Sequence, residues 1–88
     1  MRRGKVKYGG MVGVVLNWLR RGNEITAIEA VKMWNELNVR NKISILRERG
    51  WPIRSREERN PTTGAVYKVY YLDMDRTYWP HDEEAAAS

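Results

Sequence analysis

The stretch "ITAIEAVKMWNELNVRNKISILRERGWPI", Ile25 to Ile53, decides the fold. Thr26 followed three residues later by Glu29 is a capping box, in which hydroxyl and carboxylate each satisfy an orphan backbone donor of a helix's first turn. Ala27, Ala30, Val31 and Trp34 then share one helical face. The alanines allow close approach of another helix, and Trp34 fills space at the far end. After about two turns "NELN" interrupts, because asparagine tolerates left-handed backbone, and Leu37 is expected to tuck inward. A further helix is predicted from Val39 to about Arg49, ended by Gly50, with Val39, Ile43 and Leu46 as its buried line at i, i+4 and i+7. At 100° per residue Arg40 and Arg47 fall on one flank and Lys42 on the other, while Asn41, Ser44, Ile45 and Glu48 point away. Two helices joined by about four residues make a helix-turn-helix unit.

Upstream, Val12, Val15, Leu16 and Leu19 fall at i, i+3, i+4 and i+7, flanked by Met11 and Trp18, which predicts an amphipathic helix stopped by Gly22 and Asn23. Residues 1–10, "MRRGKVKYGG", carry four basic side chains and three glycines and read as a flexible basic arm. Downstream, Trp51 and Pro52 break the chain from the helix. "IRSREER" and "AVYKVYYL" are strand candidates around "NPTTG", whose Asn60, Pro61 and Gly64 supply turn chemistry for a hairpin loop of four or five residues. Three helices followed by a two-stranded β-hairpin wing form an α+β winged helix-turn-helix, expected over residues 11–72. Residues 73–88 form a C-terminal extension that begins with aromatics able to dock on the domain and ends in an acidic tail.

The chain has 88 residues, enough for one small domain and not comfortably for two. Without Cys it has no disulfides, thiolate metal sites or cysteine nucleophiles, and with His81 as the single histidine no metal site is expected. No glycine-rich phosphate loop and no triad of catalytic side chains occurs, so neither an enzyme nor a cofactor is expected. The apolar run Met11 to Leu19 is too short to span a bilayer, and a cytoplasmic location is expected. Charge is unevenly placed. Residues 1–72 hold 15 Lys or Arg against 6 Asp or Glu, whereas residues 73–88 hold one Arg against five acids, within a total of +5. A basic domain with an acidic tail points to a polyanionic partner.

At "ITAIEA", "KISILRERGWPI" and "YKVYYL" the chain resembles a family of small helix-turn-helix domains encoded by bacteriophages and prophages. The matching positions are Ile25, Thr26, Glu29 and Ala30, then Ile43, Leu46, Arg47, Gly50 and Ile53, then Tyr70 and Leu72. Lys42 stands where that family usually has Arg, and Trp51 where it usually has Tyr, both with chemical character kept. The resemblance covers about residues 11–72 and implies a winged-helix fold and DNA binding, with Tyr70 and Leu72 turned inward. Its motifs are largely core and capping residues, so it speaks to architecture more than to a target.

On that expectation the partner is double-stranded DNA, and the cytoplasmic location is nucleoid-associated, or the host cytoplasm if the chain is phage-encoded. Arg40, which can offer two donors to guanine, Asn41, which can pair with adenine, and Ser44 are the base-reading candidates of the helix 39–49. Lys42, Arg47 and Arg49 suit the phosphate backbone. Arg54, Arg56 and Arg59 could lay the wing along the backbone or minor groove, and Arg2, Arg3, Lys5 and Lys7 make the arm an electrostatic contact. Against this, Glu57 and Glu58 could pair with Lys68 or Arg59 across the hairpin. The alternative is a module that binds a host or phage protein through Ile45, Trp51, Tyr78 and Trp79. Homodimerisation is left open.

Overall fold

The computed structural model describes residues 8–80. Helix α1 spans Gly10–Arg20, strand β1 Ile25–Thr26, helix α2 Ala27–Trp34 and helix α3 Val39–Glu48. Strands β2 (Ile53–Arg59) and β3 (Val66–Leu72) form the hairpin, and a short 3₁₀ turn covers Arg76–Tyr78. The helices and the hairpin fall where the periodicity places them. The basic residues Arg2, Arg3, Lys5 and Lys7 of the expected arm lie outside the described residues, as does the tail beyond residue 80.

Local chemistry explains the element ends. Thr26 Oγ1 accepts from the Glu29 amide while the Glu29 carboxylate accepts from the Thr26 amide, so the capping box is complete. Asn35 ends α2 in the left-handed region at φ 54°, as its residue type favours. Gly50, at φ 98°, lets the chain reverse after α3, so that the amides of Gly50 and Trp51 donate to the carbonyls of Arg47 and Leu46. Gly13 serves close approach instead: a Cβ there would collide with the Tyr8 carbonyl. That contact brings Tyr8 back over α1 and thus into the fold.

The sheet is the first correction. It has three antiparallel strands in the order β1, β3, β2, not two, because Ile25 pairs with Tyr70 and Thr26 with Val69. A two-residue strand carries no readable alternation of its own. The hairpin register pairs Ile53 with Leu72 and runs outward to Arg59 opposite Val66, around the loop Asn60–Ala65. Ile53, Tyr70 and Leu72 face the core, as the resemblance implies.

The core joins Val15, Leu16 and Leu19 of α1, Ile25, Ala30, and Val39, Ile43 and Leu46 of α3 to the root of the hairpin. Each large aliphatic buried there contributes roughly 1.5–3 kcal/mol. Two aromatics expected at a partner surface are instead part of this core: Trp51 and Trp79 are each 2% exposed. Their ring centroids lie 5.4 Å apart, the Trp51 indole donates to the Tyr8 hydroxyl, and the Trp79 indole donates to the Asp73 carbonyl. Leu37 departs in the other direction. Expected to tuck inward, it is 83% exposed, because the left-handed turn at Asn35 swings the connection outward. Ala27 and Val31 are likewise exposed, so α2 buries chiefly Ala30, with Trp34 half-buried against Trp18.

Candidate nucleic-acid interface

Helix α3 buries Val39, Ile43 and Leu46, which turns Arg40, Asn41, Ser44 and Glu48 to solvent. Asn38 caps it, its side-chain oxygen accepting from the Asn41 amide at 3.3 Å. The Arg40 guanidinium enters none of the four ion pairs found among the described residues. The three base-reading candidates therefore sit together on the first turns of one helix, exposed and with no side-chain ion pair among the described residues. Ile45, expected to point away, is half-buried at the edge of α3 and offers little apolar surface.

The cations assigned from sequence to the backbone and wing divide into two groups. Lys42 is half-buried, with Nζ 3.4 Å from Glu36, whose carboxylate also accepts from the Asn38 amide, so this lysine ties the turn to α3. Arg47 donates from Nε to the Ile53 carbonyl at 2.9 Å and lies over the Tyr70 ring, fastening α3 to the hairpin root. Arg49 is exposed over the Tyr8 ring.

In the wing, Arg54 makes two hydrogen bonds to Asp73. Arg56 makes two to Glu24, at 2.7 and 2.8 Å, and a third to Glu58. The partners titrate accordingly. Glu24 is held below the ordinary carboxylate value by the hydrogen bond from Arg56. Asp73 is lowered by the Asp75 amide and then by Arg54, and both arginines are raised by their carboxylates. The alternative of cross-strand pairs from Glu57 or Glu58 to Lys68 or Arg59 does not form among the described residues: Glu58 turns to Arg56 and to the Tyr67 hydroxyl, and the Lys68 ammonium opposite Glu57 enters no ion pair. Arg59 donates to the Gly64 carbonyl and is otherwise exposed.

A groove of about 1270 Å³ opens between the start of α2 and the wing, with Arg40 on its α3 side. Lys32 and Lys68 line it with Arg40, beside Ile28, Glu57 and Val66. These two lysines were not singled out from sequence as contacts. Lys32 lies about 160° from Ala30 around α2, and Lys68 shares strand parity with the buried Tyr70 and Leu72, so once those faces are assigned both follow. Of the proposed protein-binding residues only Tyr78, 60% exposed, is open to a partner.

A sequence model described as a winged helix-turn-helix domain matches residues 13–74, more than half of the chain. The chain belongs to the winged helix-turn-helix domain family. No curated protein and no solved structure matches it. In DNA-binding helix-turn-helix domains the second helix of the unit is the one that enters the major groove, and α3 holds that place in the chain order here. Membership in the winged helix-turn-helix family suggests DNA binding, and such domains are typically not enzymes. Among the described residues no helix is long and apolar enough to cross a membrane. The folded body of this winged helix-turn-helix extends past the matched segment, since Trp79 completes the core.

Proposed function

We propose that this protein binds double-stranded DNA, reading the major groove with the exposed face of α3. Arg40 and Asn41 supply base-edge contacts, each good bidentate pair being worth roughly 1–3 kcal/mol of discrimination, and Ser44 reaches base or phosphate. The observation that carries this reading is the exposure of Arg40, Asn41 and Ser44 on one face of α3, beside a groove that adds Lys32 and Lys68. Arg49, Arg59 and the arm residues Arg2, Arg3, Lys5 and Lys7 contribute to backbone affinity. Arg54 and Arg56, engaged by Asp73 and by Glu24 and Glu58, serve mainly to hold the wing in place. The biological role is that of a transcriptional regulator or an accessory factor of replication or recombination, of phage or prophage type, acting in the cytoplasm of the cell.

Selection of bound sequences from random duplex DNA tests this. An enriched motif is expected, its symmetry reporting whether the protein binds as a homodimer. Arg40→Ala should lower the preference for the enriched site over random duplex more than it lowers bulk affinity. Equal loss on both sequences would remove Arg40 from base reading.

A second reading, a module that binds another protein, draws on the exposed apolar side chains Ile28, Met33 and Leu37 of α2 and its following turn, at 65, 43 and 83% exposure. Absence of binding to mixed duplex at low salt would favour it over DNA.

A further inference from the structure

Three arginines gather where the end of α1, the end of α3 and the 3₁₀ turn meet. Arg20 Cζ lies 5.8 Å from the Trp51 ring centroid and 5.6 Å from that of Trp79. Arg76 Cζ lies 4.9 Å from the same Trp79 ring, and Arg49 Cζ lies 5.1 Å from the ring of Tyr8, which is itself bonded to Trp51. Arg49 and Arg76 are exposed and Arg20 is half-buried.

None of the three enters an ion pair among the described residues; the four carboxylates that do, those of Glu24, Glu36, Glu58 and Asp73, serve Arg56, Lys42 and Arg54. Glu48, adjacent to Arg49 in sequence, is exposed and forms no ion pair with it among the described residues, since side chains at i and i+1 do not face each other on a helix. The acids around Arg76 are engaged. Asp73 binds Arg54, and Asp75 accepts from the amide and hydroxyl of Thr77, capping the 3₁₀ turn. Ring faces attract a guanidinium but carry no net charge, so they hold each cation in place without neutralising it. The outcome is three like charges, positioned by an aromatic floor and open to solvent on one side, which is the electrostatic form of an anion site.

Position identifies the anion. Arg49 lies nine residues after Arg40, about 13 Å along α3 at 1.5 Å per residue, and on the opposite flank of the helix. The wing and the groove with Lys32 and Lys68 occupy the Arg40 flank. The geometry points to a second phosphodiester-binding patch, formed by Arg20, Arg49 and Arg76, which grips nucleic-acid backbone on the side of α3 away from the wing. This rests on the DNA-binding reading above. It adds a backbone contact from outside the helix-turn-helix, because Arg76 lies beyond the segment that defines the family. Guanidinium groups suit phosphate oxygens, and the rings restrict their motion before binding.

The test uses the full chain, with Arg49→Gln/Arg76→Gln and Arg49→Lys/Arg76→Lys as paired variants at the two exposed positions. Arg20 is left in place because it packs on the buried indoles. Affinity for a random-sequence duplex is measured across a salt series, with far-UV circular dichroism as the check on folding. Loss of two phosphate contacts should reduce the slope of log affinity against log salt by about 1.8, at about 0.9 per contact, in the glutamine pair. The lysine pair should keep the wild-type slope. A glutamine pair with an unchanged slope overturns the patch. Should the wild type bind no duplex at low salt, the DNA reading itself falls, and the patch is then read with inorganic tripolyphosphate through the intrinsic tryptophan fluorescence, to which Trp51 and Trp79 beneath the patch contribute. A response lost in the glutamine pair supports a phosphate site independent of that reading; no response in the wild type overturns it.

Discussion

Replacing Trp79 by Ala should destabilise the domain far more than its place beyond the family segment would imply. The side chain is 2% exposed, its centroid is 5.4 Å from that of Trp51, and its indole N–H donates to the Asp73 carbonyl at 2.6 Å. Truncating a buried Trp to Ala costs about 3–5 kcal/mol, against a total stability of about 5–15 kcal/mol for a natural domain. A chain this short belongs near the low end of that range, so the variant should lie close to its unfolding midpoint at room temperature. For a domain of this size each kcal/mol moves Tm by roughly 4–8 °C, so a fall of more than about 12 °C is expected. Trp79→Phe keeps most of the ring burial and loses the indole hydrogen bond, for a smaller loss of about 0.5–1.5 kcal/mol from that bond. The measurement is thermal and urea unfolding followed by far-UV circular dichroism, since fluorescence would lose one of its reporters. A fall of less than about 4 °C for Trp79→Ala would show that residues 73–80 are an appendage, and the placement of Trp79 in the core would be wrong.

Three further outcomes follow from particular contacts. Thr26→Ala removes the oxygen that accepts the Glu29 amide and should cost about 1 kcal/mol, read from urea unfolding. Arg56→Ala should change the salt slope of DNA binding less than Arg59→Ala does, because Glu24 and Glu58 already hold its charge; equal changes would place Arg56 on the DNA backbone. The folded state lowers the pKa of Glu24 below 4.5 and that of Asp73 below 3.8. Their contribution to stability is therefore complete above those ordinary values and is lost as pH falls through the lower folded ones. Hydrogen exchange of the wing amides should accelerate over that acid range, and Glu24→Gln should remove part of the acceleration.

What the sequence discloses here is local, and what it conceals is long-range. The capping box of Thr26 and Glu29, the left-handed Asn35, the line Val39, Ile43, Leu46 and the stop at Gly50 each depend on residues within about two turns, and the structure keeps them all. Pairing of Ile25 with Tyr70 joins residues far apart in the chain through a strand too short to show a period. Ion-pair choice is concealed for the same reason. Arg56 selects Glu24 in the loop after α1, over the residues facing it in the hairpin, because tertiary proximity decides and strand parity does not. Aromatic residues mislead most easily. Trp51 and Trp79 have the composition of an interface, and each covers the other in the core, whereas Ile28, Met33 and Leu37, whose side chains resemble ordinary core, are exposed. In the candidate site, the exposure of Arg40, Asn41 and Ser44 is legible from helical phase, whereas the neutralisation of Arg54 and Arg56 is not.

Ile25 and Thr26 are at once the edge strand against β3 and the start signal of α2. Two residues thus set both the angle of the helix-turn-helix and the anchoring of the hairpin behind it. A slip of β3 by one residue would turn Tyr70 and Leu72 away from the core and change the partners of Ile25 and Thr26, and a frayed α2 would in turn release the sheet edge. Wing and helices are therefore bound to one another as a single mechanical linkage. A wing grafted from a relative would have to bring its own match to these two positions, and variation in this small domain should accumulate at the hairpin tip, where the linkage does not reach.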